Sequence, residues 1–162
     1  MEEAFERRFA RVIAETLESL AFVFAFDEGE RRNPDGPCVE LCFSGHFSGA
    51  FFLWLDHALL GEITENMLGI EEGMPVSTSQ LEDALREAAN VVCGNLLPEM
   101  GGREAVFDLI PSAVYASGGL DRASNGRKIS CQVTLSVEDA VLTGALWLEN
   151  PTAFDEQKGF DS

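Results

Sequence analysis

The stretch Ser77 to Gly102, STSQLEDALREAANVVCGNLLPEMGG, constrains the fold more than any other part of the chain. It opens on Ser77-Thr78-Ser79, whose hydroxyls suit the free N–H groups of a helix start, and Glu82 follows Ser79 at capping-box spacing. The body is rich in Ala, Leu and Glu, so the pattern predicts a helix that weakens near Pro98 and stops at Gly101-Gly102. On a helical repeat, Leu81, Leu85, Ala88, Ala89, Val92 and Leu96 form one apolar stripe, wide enough to pack on a sheet. Asp83, Glu87, Asn90 and Gly94 fall together on nearly the opposite side. Gly inside a helix costs roughly 1 kcal/mol against Ala, a cost easier to understand if something must approach closely there.

A chain of 162 residues, 46% apolar and with twelve Phe, can bury one core without staples. One domain over residues 1–150 with a flexible polar tail over 151–162 is the expectation. No apolar run approaches the roughly 18 to 20 residues that span a bilayer, and charges are spread through MEEAFERRF, so neither a membrane helix nor a signal peptide is read. The expected location is cytoplasmic. Cys38, Cys42, Cys93 and Cys131 lie in apolar stretches without a CxxC pair, which favours buried free thiols. His46 and His57 lack further ligands at zinc spacing, so no metal site is expected. The net charge of −17 argues against nucleic acid and anionic membranes as partners.

Along the chain, residues 3–20 read as an amphipathic helix with Phe5, Phe9, Val12, Ile13, Thr16, Leu17 and Leu20 on one face. Ala21 to Phe26, AFVFAF, reads as a buried extension or strand, and residues 27–37 as a polar loop with strong breakers. Residues 38–56 read as two strands turning at Ser44-Gly45-His46, and residues 57–70 as a short helix ending near Gly69. After Gly102, residues 105–111 read as a strand and the following VYASGGLDRASNGRK as a flexible loop; residues 129–137 and 140–149 form a second hairpin. GAFFLWLD (Gly49 to Asp56) and GALWLE (Gly144 to Glu149) echo one another. The reading is an α+β domain: an antiparallel sheet of two hairpins, long helices on one face, and approximate internal two-fold symmetry.

Glu-x-x-Asn carries little information by itself, and Glu30-Arg31-Arg32-Asn33 matches it too, in a loop before Pro34. Only Glu87 and Asn90 have an acid four residues earlier, helical context and a Gly one turn on. DALREAANVVCGNLLPEMGG resembles the signature helix of the CheX/CheC/FliY chemotaxis phosphatases, most closely the CheX-like branch. The resemblance extends over the leading helix, both hairpins and the strand ending at Pro111, which comes slightly earlier than the family's Pro. It implies a phosphatase for the phospho-aspartate of a CheY-like receiver, with Asn90 orienting the attacking water and Glu87 pairing with a receiver lysine. Asp83 matches the position that opens the pattern, and Asp83 and Gly94 are the expected partner-binding positions. The resemblance also implies a homodimer through sheet edges, no cofactor on this chain, and Mg²⁺ on the phosphorylated partner.

The residue types suit that chemistry. An aspartyl phosphate with its own metal and lysine lacks only a water held in line with phosphorus. A carboxamide offers a donor and an acceptor and does not titrate. The bland reading of the same face is a solvated helix surface. The alternative of another class is a non-catalytic module that binds a receiver or a flagellar switch component.

Overall fold

The computed structural model describes residues 2–27, 32–102 and 104–151. The order is α1 (Glu2–Ala21), β1 (Cys38–Gly45), β2 (Gly49–Leu55), α2 (His57–Leu68), α3 (Thr78–Gly101), β3 (Phe107–Leu109), β4 (Ala113–Tyr115), α4 (Gly119–Ser124), β5 (Cys131–Val137) and β6 (Ala140–Leu148). The sheet is antiparallel in the order β3-β1-β2-β6-β5, with β4 also pairing β1.

The two echoing sequences are the two central strands. Gly49 pairs with Leu148, and Phe51 with Leu146, which is its own counterpart when the two GA starts are matched. A pair of equivalent residues facing each other lies on a two-fold axis, and the order β1-β2-β6-β5 repeats itself about that axis. The helices follow suit: α1 and α3 run antiparallel side by side, tied by Arg11 to Glu99 at 3.5 Å and by Asn95 Nδ2 donating to Thr16 Oγ1 at 3.0 Å.

Alternation along the strands decides which side of the sheet the long helices cover. Val39, Leu41, Phe43, Phe51, Leu53, Leu55, Leu135 and Leu146 all point to one core with Phe5, Phe9, Ile13 and Leu17 of α1 and Leu85, Ala89, Val92 and Leu96 of α3. At the crossing of α1, Gly144 leaves the room that Ile13 fills: a Cβ there would sit 2.4 Å from Ile13 Cδ1. The other side carries a smaller core of Cys38, Ala50, Phe52, Leu120, Ala123 and Ala145.

Three expectations are corrected. Residues 22–26 are neither strand nor a buried extension: Val23 is buried, but Phe22, Phe24 and Phe26 face outward, and only Phe26 pairs, in an isolated bridge to Ser136. The stretch 114–128 is not simply a loop, because it holds the end of β4 and then α4, which covers the second face of the sheet. The cap of α3 is Ser77, not Ser79: its hydroxyl accepts from Gln80 N–H, and the Gln80 side chain accepts from Ser77 N–H, so Gln80 takes the place expected of Glu82. Both choices satisfy the same box spacing, and the helix begins two residues earlier. The tail expected over 151–162 lies outside the described residues beyond Pro151. Cys38 and Cys93 are buried free thiols, Cys131 is buried, and Cys42 is only half-buried. Burial pushes the Cys93 thiol up to about 12, and burial followed by the charge of Glu40 does the same to Cys38, so neither is a nucleophile at neutral pH.

Candidate functional site

Helix α3 is held along its apolar stripe. Ala84, Leu85, Ala88, Ala89, Val92, Cys93, Leu96, Leu97 and Met100 are buried, a wider band than the spacing alone marked out, and Leu81 is half-buried at its edge. With so much of the circumference fixed against the sheet, α1 and α2, the opposite side has no freedom to rotate inward. Asp83, Glu87, Asn90 and Gly94 are all exposed on it. Consecutive members are three or four residues apart, so their Cβ atoms succeed one another at about 5–6 Å.

The four positions have different surroundings. Asp83 faces Arg86, whose guanidinium lies 3.5 Å from its carboxylate and 3.9 Å from that of Glu82. Glu87 has no ion pair among the described residues. Asn90 borders an open hollow lined also by Arg86, Leu109, Ile110, Pro111 and Ser112. A Cβ built on Gly94 would meet nothing within 4 Å, so Gly94 is not required by packing inside this chain. Pro98, one turn on, lies inside the helix and lacks the N–H that would close on the Gly94 carbonyl. The outward face therefore offers a carboxylate, a carboxamide and then bare backbone in sequence.

Sequence reasoning missed Arg86 and the segment from Leu109 to Ser112. The acids at Glu82 and Asp83, four and three residues before Arg86, were the available signal for the first. Nothing in sequence placed the second beside Asn90; that contact comes from β3 pairing with β1. The competing Glu-x-x-Asn ends in irregular backbone at Arg32 and Asn33, and Glu30 lies outside the described residues. Among the described residues no three His, Cys, Asp or Glu side chains come together as a metal site, and no helix is long and apolar enough to cross a membrane.

No curated protein sequence matches the chain. Solved structures do, at low identity and over nearly their whole length. The chemotaxis protein CheX of Vibrio vulnificus superposes with a TM-score of 0.69 at 18% identity, covering 90% of this chain and 96% of that one. A CheX from Borrelia burgdorferi, solved as a CheX–CheY–BeF3–Mg²⁺ complex, gives 0.65 at 18% identity with 88% and 96% covered. FliY of Thermotoga maritima gives 0.57 at 13% identity with 98% and 99% covered. These likenesses establish the fold. The family model for the chemotaxis phosphatase CheX matches residues 38–136, more than half of the sequence and including all of α3, and on that match the chain belongs to the CheX family.

Proposed function

We propose that this chain dephosphorylates the phospho-aspartate of a CheY-like receiver, with Glu87 and Asn90 as the residues that act. One observation carries the reading: Glu87 and Asn90 project side by side from a rigid helix into open solvent, with an unobstructed glycine one turn beyond. Side chains placed for a phosphoryl group buried in another protein must reach outward, and the backbone behind them must admit that protein.

The work left to this chain is positioning. The Asn90 carboxamide accepts from and donates to a single water, aligning it opposite the bond that breaks between phosphorus and the receiver's carboxylate oxygen. Water adds to phosphorus, the carboxylate leaves, and inorganic phosphate is released. Glu87 grips a cationic side chain of the receiver through a charge-assisted hydrogen bond and fixes the height of the helix over the site. Asp83 and Gly94 complete the contact as a charge and a close approach. The Mg²⁺ travels with the receiver. Aligning the water can lower the barrier by several kcal/mol without a nucleophile of this chain's own. The proposal places the chain in the cytoplasm with its receiver.

The same reading includes a homodimer through the β3 edge. This strand pairs on one side only, and Val106, Leu109 and Ile110 beside it are 79%, 40% and 50% exposed. An edge strand flanked by apolar side chains is apt for pairing with a second copy. Val106→Lys is expected to halve a light-scattering mass of twice 17.7 kDa.

The deciding experiment follows phosphate release from a phosphorylated receiver. Asn90→Ala is expected to lose about 100-fold in kcat, the scale for one positioned group in a transition state. Equal decay with wild type and variant, both at the receiver's own rate, leaves the alternative, a receiver-binding or flagellar-switch module without catalysis. The likeness of the fold to FliY is what favours that second reading.

A further inference from the structure

After a left-handed turn at Phe22, the chain leaves α1 through residues 23–26 with two unlike sides. Val23 is 1% exposed and Ala25 packs against the core, while Phe22, Phe24 and Phe26 are 70%, 59% and 59% exposed. Alternate residues of an extended chain share a side, so Phe24 and Phe26 turn outward together, and Phe22, at the turn out of α1, is exposed next to them. The row is held at both ends. Ala21 C=O accepts from Asn66 Nδ2 at 2.7 Å, and Phe26 exchanges two backbone hydrogen bonds with Ser136, at 2.9 and 2.8 Å.

Phe22 occupies the residue after a helix, with φ 57°. The same left-handed position after α2 is Gly69 and after α4 is Asn125, the residues that adopt it at least cost. A phenyl ring there gains nothing from the core, since it lies in solvent. Beside the row, between α2 and the β5–β6 turn, Glu62, Glu65, Glu72 and Glu138 line one hollow together with Asn66. None of these four carboxylates is ion-paired among the described residues. Asn66 lines the hollow and donates to Ala21, the residue before Phe22, at one end, and Glu138 of the hollow stands two residues from Ser136 at the other. Apolar rings flanked by uncompensated negative charge match a segment that alternates apolar and cationic side chains. The rings would bury its apolar side and attract its cations through their faces, while the glutamates would set its direction.

We propose that the Phe22–Phe26 row and the glutamates of α2 form a second docking site, separate from Glu87 and Asn90, for a lysine- or arginine-rich segment of a partner protein. The probe is a fluorescein-labelled twelve-residue peptide of alternating lysine and valine, with a twelve-residue all-lysine peptide as the measure of charge alone. Anisotropy at about 0.15 M salt should show the alternating peptide binding at least tenfold more tightly than all-lysine. The combination Phe22→Asn, Phe24→Ser and Phe26→Ser changes no charge and should remove that preference. Glu62→Gln, Glu65→Gln and Glu138→Gln together should weaken the alternating peptide about tenfold, whereas Glu6→Gln, Glu82→Gln and Glu149→Gln should not. Asn90→Ala should bind it as wild type does, whatever that substitution does to phosphatase activity.

Equal binding of the two peptides, or an aromatic variant that binds like wild type, overturns the proposal. So does a dimer that dissociates on loss of the three Phe, which would assign the row to a second copy of the chain. Should the triple variant melt early, Phe24→Ser alone, which leaves the turn at Phe22 intact, makes the same comparison.

Discussion

Arg86 stands 3.5 Å from the Asp83 carboxylate across one turn of α3, so the acid that opens the outward face is partly answered by its own helix. The pair is open to solvent, at 38% and 74% side-chain exposure, and exposed pairs at this spacing contribute a few tenths of a kcal/mol. Arg86→Ala should therefore change the free energy of unfolding by less than about 0.5 kcal/mol in urea titrations. It should also release Asp83 to a cationic receiver, lowering KM by about two- to three-fold at low ionic strength and less at high salt. A KM indifferent to salt in both proteins would remove Asp83 from the contact.

Gly94→Ala separates stability from function by sign. Nothing lies within 4 Å of the position a Cβ would take, so the methyl is free of clashes and the helix gains up to about 1 kcal/mol. The same methyl stands one turn from Asn90, where the proposed docking would bring the receiver's backbone close. Expected is a more stable protein with a higher KM and little change in kcat. A variant that gains stability and keeps its KM would show that no partner approaches there.

What was legible in the sequence follows what is periodic. The stripe and counter-stripe of α3 lie on buried and open sides because a helix cannot hide one face without exposing the other. The two-hairpin sheet was readable for the same reason, since LCF and FFLWL alternate or run apolar in a way that only paired strands use. Phe22 to Phe26 departs from the buried expectation because hydrophobicity does not entail burial; the alternation that separates Val23 from its neighbours is present but short. The hollow beside Asn90 was out of reach. It depends on β3 folding back to pair with β1, a contact between Phe43 and Leu109 that no local pattern encodes.

Asp56 shows how a loop is locked to the sheet next to α2. The residue precedes the helix, but its carboxylate does not cap it; it accepts from Arg32 at 2.9 and 2.6 Å and from the N–H groups of Asp35 and Val141 at 2.9 Å each. Burial alone would raise the carboxyl pKa, but Arg32, Val141 and Asp35 together outweigh it and hold the value below the ordinary one. A depressed folded value stabilises the protein above the unfolded carboxyl's pKa of ~3.9, and that contribution is lost as pH falls through the folded value. Asp56→Asn keeps one acceptor oxygen for four donors and should cost about 3 kcal/mol near neutral pH. Its stability should also fall less steeply than that of wild type below about pH 4. Parallel acid limbs in the two proteins would mean that other carboxylates carry the acid transition.

Arg127 does on the far side of the sheet what the long helices do on the near side. Its guanidinium lies 5.4 Å from the Phe52 ring centre and 5.0 Å from that of Trp147, and it is ion-paired with Glu40. It also donates to the carbonyls of Ser124 and Ala123 at 2.7 and 2.9 Å, which ties the end of α4 to β1, β2 and β6. Arg127→Ala removes the stacked cation and leaves Glu40, 13% exposed, with the Tyr115 hydroxyl at 3.4 Å and the weak Cys42 thiol donor at 3.7 Å. The expected loss is about 3 kcal/mol, since breaking a mostly buried pair strands the remaining charge. Arg127→Met combined with Glu40→Met should recover much of it, because neither charge is then left alone. Denaturant midpoints of the two single Met variants and the double complete the cycle. Strict additivity would mean that the two side chains act independently.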